Sequence, residues 1–239
     1  MAQNIYDTPE FFAGYSSLPR SRNGLAAMPE WPALKALLPP LDKLQVLDLG
    51  CGFGWFARFA ASEGASVLGI EISSNMLAKA ASFPTEGITY KQADLETVEL
   101  SGEFDLIVSV LALHYLASLD RLVKQAFAVL KSGGKFVVEV EHPIYTAPSH
   151  GDFIPFGDKS VWPLEGYARE GPRTRSWFVD GVVKQHRTLE TYITMFLDAG
   201  FVLERIEEWK PTKEGLEAGS CDEIEFNRPM FLLFKFGKP

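Results

Sequence analysis

The sequence predicts an α/β fold in which helices cover both faces of a mostly parallel sheet. Short apolar runs alternate with segments of helical period between residues 44 and 141. Parallel strands need a crossover connection, usually a helix, so this alternation indicates a parallel sheet. The chain has 239 residues, of which 46% are hydrophobic and 23% charged. This length and balance suit one folded domain, residues 1–239, with a single core.

The apolar runs define the first five strands and the helices between them. We predict strands at Leu44–Leu49, Ser66–Ile70, Ile88–Lys91, Phe104–Val110 and Lys135–Glu141. We predict helices at Trp31–Leu38, Trp55–Glu63, 73–82 and 118–131, the last two capped by Ser73 and Ser118. The fourth and fifth strands are apolar almost throughout, which favours central positions buried on both faces.

The two ends of the chain and residues 142–187 depart from this rhythm. Residues 1–40 predict an irregular N-terminal arm with one short helix, and residues 142–187, rich in Pro, Gly and aromatic side chains, predict a cap inserted after strand five. A helix follows at Thr188–Ala199, and two strands at Phe201–Trp209 and Met230–Phe236 come after it. Because no helix separates these two strands, we expect an antiparallel pair at the sheet edge.

Charge and cysteine content limit the partners. The formal net charge is -8, and no cluster of Lys or Arg opposes it, so we expect no nucleic-acid partner. The longest apolar run, around Leu106–Leu113, is too short to cross a bilayer, so no membrane partner is expected. Cys51 and Cys221 are far apart, and no leader segment is evident, which favours a reducing cytoplasm. The four histidines are scattered, without metal-ligand spacing.

A glycine-rich turn, VLDLGCGFG at residues 46–54, follows the first strand. Its glycines allow a sharp turn and a close approach of the backbone to a ligand, and the next helix offers free N–H groups. Glu71 ends the second strand about 20 residues further on, where a carboxylate can hold both hydroxyls of a ribose. The sequence therefore predicts a nucleoside-type ligand at the carboxyl ends of the strands.

Two side chains narrow the choice of nucleoside. A dinucleotide site requires a glycine where Trp55 stands, which disfavours a nicotinamide oxidoreductase. Asp48 would repel a pyrophosphate but would favour a ligand with an ammonium and a sulfonium group. S-adenosylmethionine carries both groups. No phosphate-binding loop with its lysine is present.

With these residues in place, the chain resembles the class I S-adenosylmethionine-dependent methyltransferases, in particular the group similar to the ubiquinone/menaquinone C-methyltransferases. The resemblance covers about residues 40–141 and is carried by four blocks, VLDLGCGFG, GIEISSNML, QADLE and FDLIVSVLALHYL. It implies a Rossmann-like three-layer sandwich with strand order 3-2-1-4-5-7-6 and an antiparallel strand 7. It also implies S-adenosylmethionine as methyl donor and no metal.

The resemblance assigns cofactor-binding roles residue by residue. The glycines would approach the methionine moiety, Glu71 would bind the ribose, and Asp94 would contact the adenine amino group. Arg20 in the arm could pair with the cofactor carboxylate. The full candidate set is Tyr15, Arg20, Asp48, Gly50, Cys51, Gly52, Gly54, Glu71, Ile72, Asp94, Leu95 and Ser109.

Methyl transfer needs proximity and alignment, together with a base for some acceptors. His142 and His114 follow strands five and four, and His186 precedes the last helix, so these histidines are the candidate catalytic residues. For each, a structural role in loops or helix caps is the open alternative. We also expect two or three cap aromatics, such as Trp162, Tyr167 and Trp177, to line an acceptor site.

The predicted function is methyl transfer to the O, N or C atom of a small molecule. A non-catalytic S-adenosylmethionine-binding module and a protein or tRNA methyltransferase are the alternatives. Both a monomer and a homodimer are compatible with the sequence.

Overall fold

A computed structural model of the protein describes residues 3–239, so the first two residues of the predicted arm lie outside the described residues. Within that range the strands are β1 Gln45–Leu49, β2 Ser66–Glu71, β3 Ile88–Gln92, β4 Phe104–Val110, β5 Leu130–Glu141, β6 Ile154–Phe156, β7 Lys159–Val161, β8 Gly171–Trp177, β9 Val179–His186, β10 Val202–Glu208 and β11 Phe231–Gly237. The α-helices are α1 Pro9–Ser17, α2 Pro19–Asn23, α3 Trp31–Leu37, α4 Trp55–Ser62, α5 Ser74–Ala81, α6 Leu119–Val129, α7 Pro143–Thr146, α8 Leu189–Asp198 and α9 Lys213–Glu217. None of these helices is long and apolar enough to cross a membrane.

Seven strands form one sheet in the order β3-β2-β1-β4-β5-β11-β10. Strands β1 to β5 are parallel, and β11 runs antiparallel to both β5 and β10. With β10 and β11 as the sixth and seventh strands of the sheet, this order confirms the predicted 3-2-1-4-5-7-6. The carboxyl ends of β1, β2, β4 and β5 therefore meet at one edge.

Helices cover both faces of this sheet, as the apolar patterns predict. On one face, α6 and α8 pack through buried residues such as Val123 and Phe196 against Leu47 and Val138. On the other face, α3 and α4 pack through Leu34 and Phe56 against the opposite side of the same strands. Because successive side chains of a strand point to opposite faces, the two cores share the central strands.

Several local expectations need correction. Helix α6 ends at Val129, earlier than predicted, and β5 already begins at Leu130, so Gly133, with φ of 79°, lies within the strand rather than before it. Ser73 caps α5 as predicted, accepting a hydrogen bond from the Met76 amide at 3.0 Å. Ser118 makes no side-chain cap, and the Glu96 carboxylate accepts the hydrogen bond of its amide at 3.0 Å instead.

The arm and the cap have more regular structure than the sequence predicts. The arm contains α1, α2 and two 3-10 helices, at Ile5–Asp7 and Gly24–Ala27. Residues 142–187 form α7 and two hairpins, β6–β7 and β8–β9, neither of which joins the main sheet. The polar loop between the last two strands contains α9 and a 3-10 helix.

Candidate active site

The glycine-rich turn lies between β1 and α4. Gly50 and Gly52 have φ of 81° and 52°, a region that favours glycine. A Cβ atom on Gly50 would lie 2.3 Å from the Cβ of Ala112, whereas one on Gly52 would meet no protein atom within 4 Å. Gly50 thus permits close packing against the loop after β4, and Gly52 exposes its backbone to open space.

Two acids flank this turn. Glu71, at the end of β2, accepts hydrogen bonds from the amides of Gly52 at 3.0 Å and Ser73 at 2.9 Å. Asp48 is 2% exposed, and its Oδ2 has no hydrogen-bond partner. Burial, reinforced by the charge of Glu71, raises the pKa of Asp48 to about 8. An orphaned carboxyl oxygen of this kind suits a ligand that brings a cationic group, as S-adenosylmethionine does.

The N-terminal arm closes over the acids. The Asp7 carboxylate accepts hydrogen bonds from Ser73 Oγ at 2.5 Å and from the Asn75 amide at 3.0 Å, at the start of α5. Gln3 pairs with β9, since its Oε1 accepts from the Val183 amide at 2.9 Å. The arm is therefore fastened both beside Glu71 and to the cap.

One cavity of about 840 Å³ runs beneath the arm and the cap. Its lining includes most of the predicted cofactor-binding residues, namely Tyr15, Arg20, Asp48, Gly50, Cys51, Gly52, Glu71, Ile72, Asp94 and Leu95. At its other end it is lined by residues of the cap and of the loops after β4 and β5. The volume falls in the range of about 300–1,000 Å³ that is typical of ligand sites.

Two members of the predicted cofactor-binding set, Ser109 and Gly54, lie outside the cavity lining. Ser109 is fully buried and donates its hydroxyl hydrogen bond to the Leu49 carbonyl at 2.7 Å, so it joins β4 to β1 inside the sheet and does not line the cavity. Gly54 starts α4 with φ of 70° and also lies outside the lining. Cys51 lines the cavity, and burial and the neighbouring acids raise the pKa of its thiol, which disfavours the reactive thiolate form.

The end of the cavity away from the glycine turn contains an ion pair. Lys184 Nζ of β9 lies 2.5 Å from Oε1 of Glu141, the last residue of β5, and both side chains are largely buried. Burial, the largest single influence, would raise the pKa of Glu141, but the Lys184 charge and hydrogen bond together with the neighbouring His114 and Arg175 outweigh it, and the pKa is lowered. Glu141 is therefore ionised at neutral pH. The Lys184 ammonium also lies 4.8 Å from the centre of the Trp177 ring.

His114 is the one predicted catalytic histidine that lines the cavity. It is 1% exposed, and its Nδ1 accepts a hydrogen bond from the Glu141 amide at 3.3 Å. Burial lowers its pKa to about 4. A neutral ring that accepts at Nδ1 carries its proton on Nε2, so His114 is a hydrogen-bond donor and not a base.

His142 and His186 lie outside the cavity lining, which corrects their expected catalytic role. His142 Nδ1 accepts from the Ile144 amide at 3.0 Å, and its Nε2 donates to Glu208 at 2.9 Å. The Nε2 of His186 donates to the Tyr167 carbonyl at 2.8 Å, and its Nδ1 lies 2.8 Å from Thr146 Oγ1. Both rings have both nitrogens engaged, so they support the cap.

The cap aromatics divide in the same way. Trp177 lines the cavity, together with Tyr145, Tyr6 and Tyr115. Trp162 instead stacks on Tyr145 at 5.7 Å and donates to the Ile144 carbonyl. Tyr167 uses its hydroxyl to accept from the Leu189 amide at 3.2 Å, so it holds the start of α8. Trp162 and Tyr167 therefore stabilise the cap and do not line the cavity.

Sequence reasoning missed Glu141 and Lys184. The signal for Glu141 is the strand period, since Val137, Glu139 and Glu141 share one face of β5 and His142 lies beyond the strand end. Leu111 was also missed. It lines the cavity with φ of 55°, and such backbone strain in a residue with a side chain is typical of functional sites. Among residues 3–239, no group of three or more His, Cys, Asp or Glu side chains could hold a metal ion.

Comparisons with known proteins bear on this geometry. A family model described as a methyltransferase domain matches residues 47–138. A crystal structure of an S-adenosylmethionine dependent methyltransferase from Mesorhizobium loti is 44% identical, with a TM-score of 0.85, and the match covers 90% of this chain and 100% of that one.

Two curated relatives match over shorter stretches. The trans-aconitate 2-methyltransferase of Deinococcus radiodurans is 36% identical over 139 residues, which is 52% of this chain and 53% of that protein. The malonyl-[acyl-carrier protein] O-methyltransferase of Enterobacter lignolyticus is 38% identical over 103 residues, 43% of this chain and 41% of that protein. The stretch that matches thus spans about half of these two relatives or less. With a sheet order typical of the family and a full-length similarity to a solved member, the chain belongs to the class I S-adenosylmethionine-dependent methyltransferases.

Proposed function

We propose that the protein transfers the methyl group of S-adenosylmethionine to a small molecule bound beneath the cap at residues 142–187. The observation that supports this proposal is the single cavity whose lining joins Glu71 and Asp48 at one end to Glu141 and Lys184 at the other. Donor and acceptor must meet in one enclosed space for an in-line transfer.

The donor end would be formed by residues of the blocks VLDLGCGFG, GIEISSNML and QADLE together with residues of the N-terminal arm. Glu71 would hold the ribose, Asp94 the adenine, and Asp48 the ammonium group, while Tyr15 and Arg20 would close the amino-acid end. When bound, S-adenosylmethionine supplies a methyl carbon that its sulfonium already activates. The residues around it need to align it and exclude water. Arm helices α1 and α2 would provide that exclusion.

At the acceptor end, Glu141 is the group placed to receive a proton. Lys184 helps to keep the Glu141 carboxylate ionised in a largely buried position. The rings of Trp177, Tyr115 and Tyr6 form apolar walls around it. We infer an acceptor with a hydroxyl or amine group, whose proton Glu141 accepts as the new bond to carbon forms. The name of one relative concerns trans-aconitate, a small molecule, and that of another concerns malonyl-[acyl-carrier protein], a small acyl group carried on a protein; both support a small group as the acceptor.

The test is a screen of fractionated metabolites with labelled S-adenosylmethionine and the purified protein, repeated with Glu141→Gln. We expect transfer of label to a small molecule, and a fall in kcat of about a hundredfold for Glu141→Gln, the lower range for loss of a general base. Glu190→Gln, on the exposed side of α8, is the matched control and should behave as wild type.

Lys184→Met provides an independent check. Without the ammonium, burial raises the pKa of Glu141, so activity should fall more at low pH than at high pH. A Glu141→Gln enzyme with unchanged kcat, or a Lys184→Met enzyme with an unshifted pH profile, would contradict the assigned role of Glu141. Label found only in protein or RNA fractions would contradict the small-molecule acceptor.

A further inference from the structure

Two buried acids face one arginine beside the cofactor end of the cavity. Glu139, in the middle of β5, and Glu30, which precedes α3, are both fully buried. Arg20 of α2 pairs with Glu30, its Nη2 lying 2.6 Å from Glu30 Oε1. Arg20 lines the cavity, whereas the two acids lie behind it.

Hydrogen bonding within this group is incomplete if both acids are ionised. Both carboxyl oxygens of Glu139 and Oε2 of Glu30 are buried without a hydrogen-bond partner. Two carboxylates can only accept, so neither can satisfy the other. The side chains of Glu30 and Glu139 lie within hydrogen-bonding reach of each other, so one proton would turn two orphaned acceptors into a donor and an acceptor.

The charge balance leads to the same conclusion. The strand neighbours of Glu139 are Val110 on β4 and Leu233 on β11, which bring no charge. The ionisable groups that face the pair are Arg20 and, next to Arg20, the neutral Tyr15. One guanidinium can balance one buried carboxylate, and a second buried negative charge would be unpaired at high cost.

We infer that Glu30 and Glu139 hold one proton between them, and that this acid pair, with a single negative charge, positions the Arg20 guanidinium at the cofactor end of the cavity. The two acids are positioning residues, since they lie behind the lining and act through Arg20. Arg20 also stacks over the Phe231 ring, 5.5 Å from its centre, so its guanidinium is held from two sides. The arginine would then meet the carboxylate of the cofactor's amino-acid end, which is the part that rests on the proposed function.

The proton can be tested without any ligand. In the infrared spectrum at pH 7, the difference between wild type and Glu139→Gln should contain the carbonyl band of a protonated carboxyl group. The difference between wild type and Glu30→Gln should contain the same band, because Glu139 then gives up its proton and pairs with Arg20 itself. Glu190→Gln is the control and should leave the band unchanged. Absence of the band from either difference spectrum would overturn the shared proton.

The positioning role is tested by calorimetry with two ligands. S-adenosylhomocysteine carries the amino-acid end, and 5′-methylthioadenosine lacks it. Either single glutamine variant keeps one negative charge beside Arg20, so its affinity for both ligands should match wild type. The double variant leaves Arg20 without a counter-ion, and we expect it to bind S-adenosylhomocysteine about tenfold more weakly. Its affinity for 5′-methylthioadenosine should be unchanged.

The outcomes separate the two proposals. If Glu139→Gln alone weakens S-adenosylhomocysteine as much as the double variant does, Glu139 is ionised and the inference is overturned. If Arg20→Met binds both ligands as tightly as wild type, Arg20 does not reach the cofactor, and the proposed cofactor contact fails while the infrared result still decides the proton. If the double variant does not fold, the infrared spectra of wild type and the single variants remain decisive.

Discussion

Asp48→Asn removes an ionisable group from the cavity while keeping the shape of the side chain. Burial, reinforced by Glu71, raises the pKa of Asp48 from 3.8 to about 8 in the folded protein. In the unfolded chain the group titrates near its ordinary value of about 3.9. Between these two values the folded protein keeps a proton that the unfolded chain releases. The contribution of Asp48 to stability is therefore fully present below about pH 4 and is lost as the pH rises through about 8.

The size of the effect at pH 7 follows from these two values. The pH then lies about three units above the unfolded-state pKa, which corresponds to roughly 4 kcal/mol at about 1.4 kcal/mol per unit. This is an upper bound, because a buried site relaxes when its charge changes. We expect Asp48→Asn to raise the free energy of unfolding by about 2 to 4 kcal/mol at pH 7 relative to its effect at about pH 4.

Urea unfolding of wild type and variant across this pH range measures the difference directly. The difference in the free energy of unfolding between wild type and Asp48→Asn should widen steadily as the pH rises. Asp158→Asn, in the exposed β6–β7 turn, is the control and should show no such trend. Asp48→Asn should also bind S-adenosylhomocysteine at least about tenfold more weakly, because asparagine cannot ionise to meet the ammonium group that Asp48 is proposed to bind. A difference in the free energy of unfolding between wild type and Asp48→Asn that does not change with pH would contradict the raised pKa of Asp48.

Three further predictions concern the turn, the cap and the arm. Gly50→Ala should lower the free energy of unfolding by about 2 to 3 kcal/mol, because the added Cβ collides with the loop after β4. Gly52→Ala should lower it by about 1 kcal/mol and mainly weaken cofactor binding. Unfolding measurements and calorimetry on both variants check these expectations. Trp177→Ala should raise KM for the acceptor and leave the Kd for S-adenosylhomocysteine unchanged. Trp162→Ala should lower Tm alone. Equal effects of the two variants on KM would argue against placing only Trp177 in the cavity lining. Burial opposes ionisation of Asp7, but the hydrogen bonds it accepts lower its pKa to about 2, so it should fasten the arm above about pH 4 and release it as the pH falls through about 2. Asp7→Asn should then increase amide exchange in residues 3–27 at neutral pH, and an unchanged exchange rate would contradict the fastening role.

The donor end of the site is predictable from the sequence because its signals are local. The glycine turn and Glu71 belong to one strand–helix–strand unit, where spacing along the chain fixes position in space. The same holds for Ser73, whose cap hydrogen bond spans three residues. The sheet order, by contrast, is implied by resemblance to a family, because strand pairing between distant segments has no signal in a single sequence.

The acceptor end is less predictable because it depends on register and on long-range contacts. His142 is the residue type that suggests a base, but β5 ends one residue earlier, and Glu141 is the side chain that lines the cavity. Its partner Lys184 lies 43 positions further along the chain, in a hairpin whose amino-acid sequence has no clear hydrophobic period. Asp7 likewise accepts a hydrogen bond from Ser73, which lies 66 residues further along the chain. Glu139 did leave a signal, since a charged residue in the middle of a buried central strand requires a partner.

The two cap hairpins contribute no strand to the main sheet. Insertions or substitutions in β8–β9 can therefore accumulate without shifting the register of the seven central strands, whose pairing fixes the glycine turn. The stretch that matches the family model, residues 47–138, stops before the cap begins. Changes confined to the cap, about one fifth of the chain, can therefore alter the acceptor end of the cavity while the glycine turn and Glu71 keep their positions.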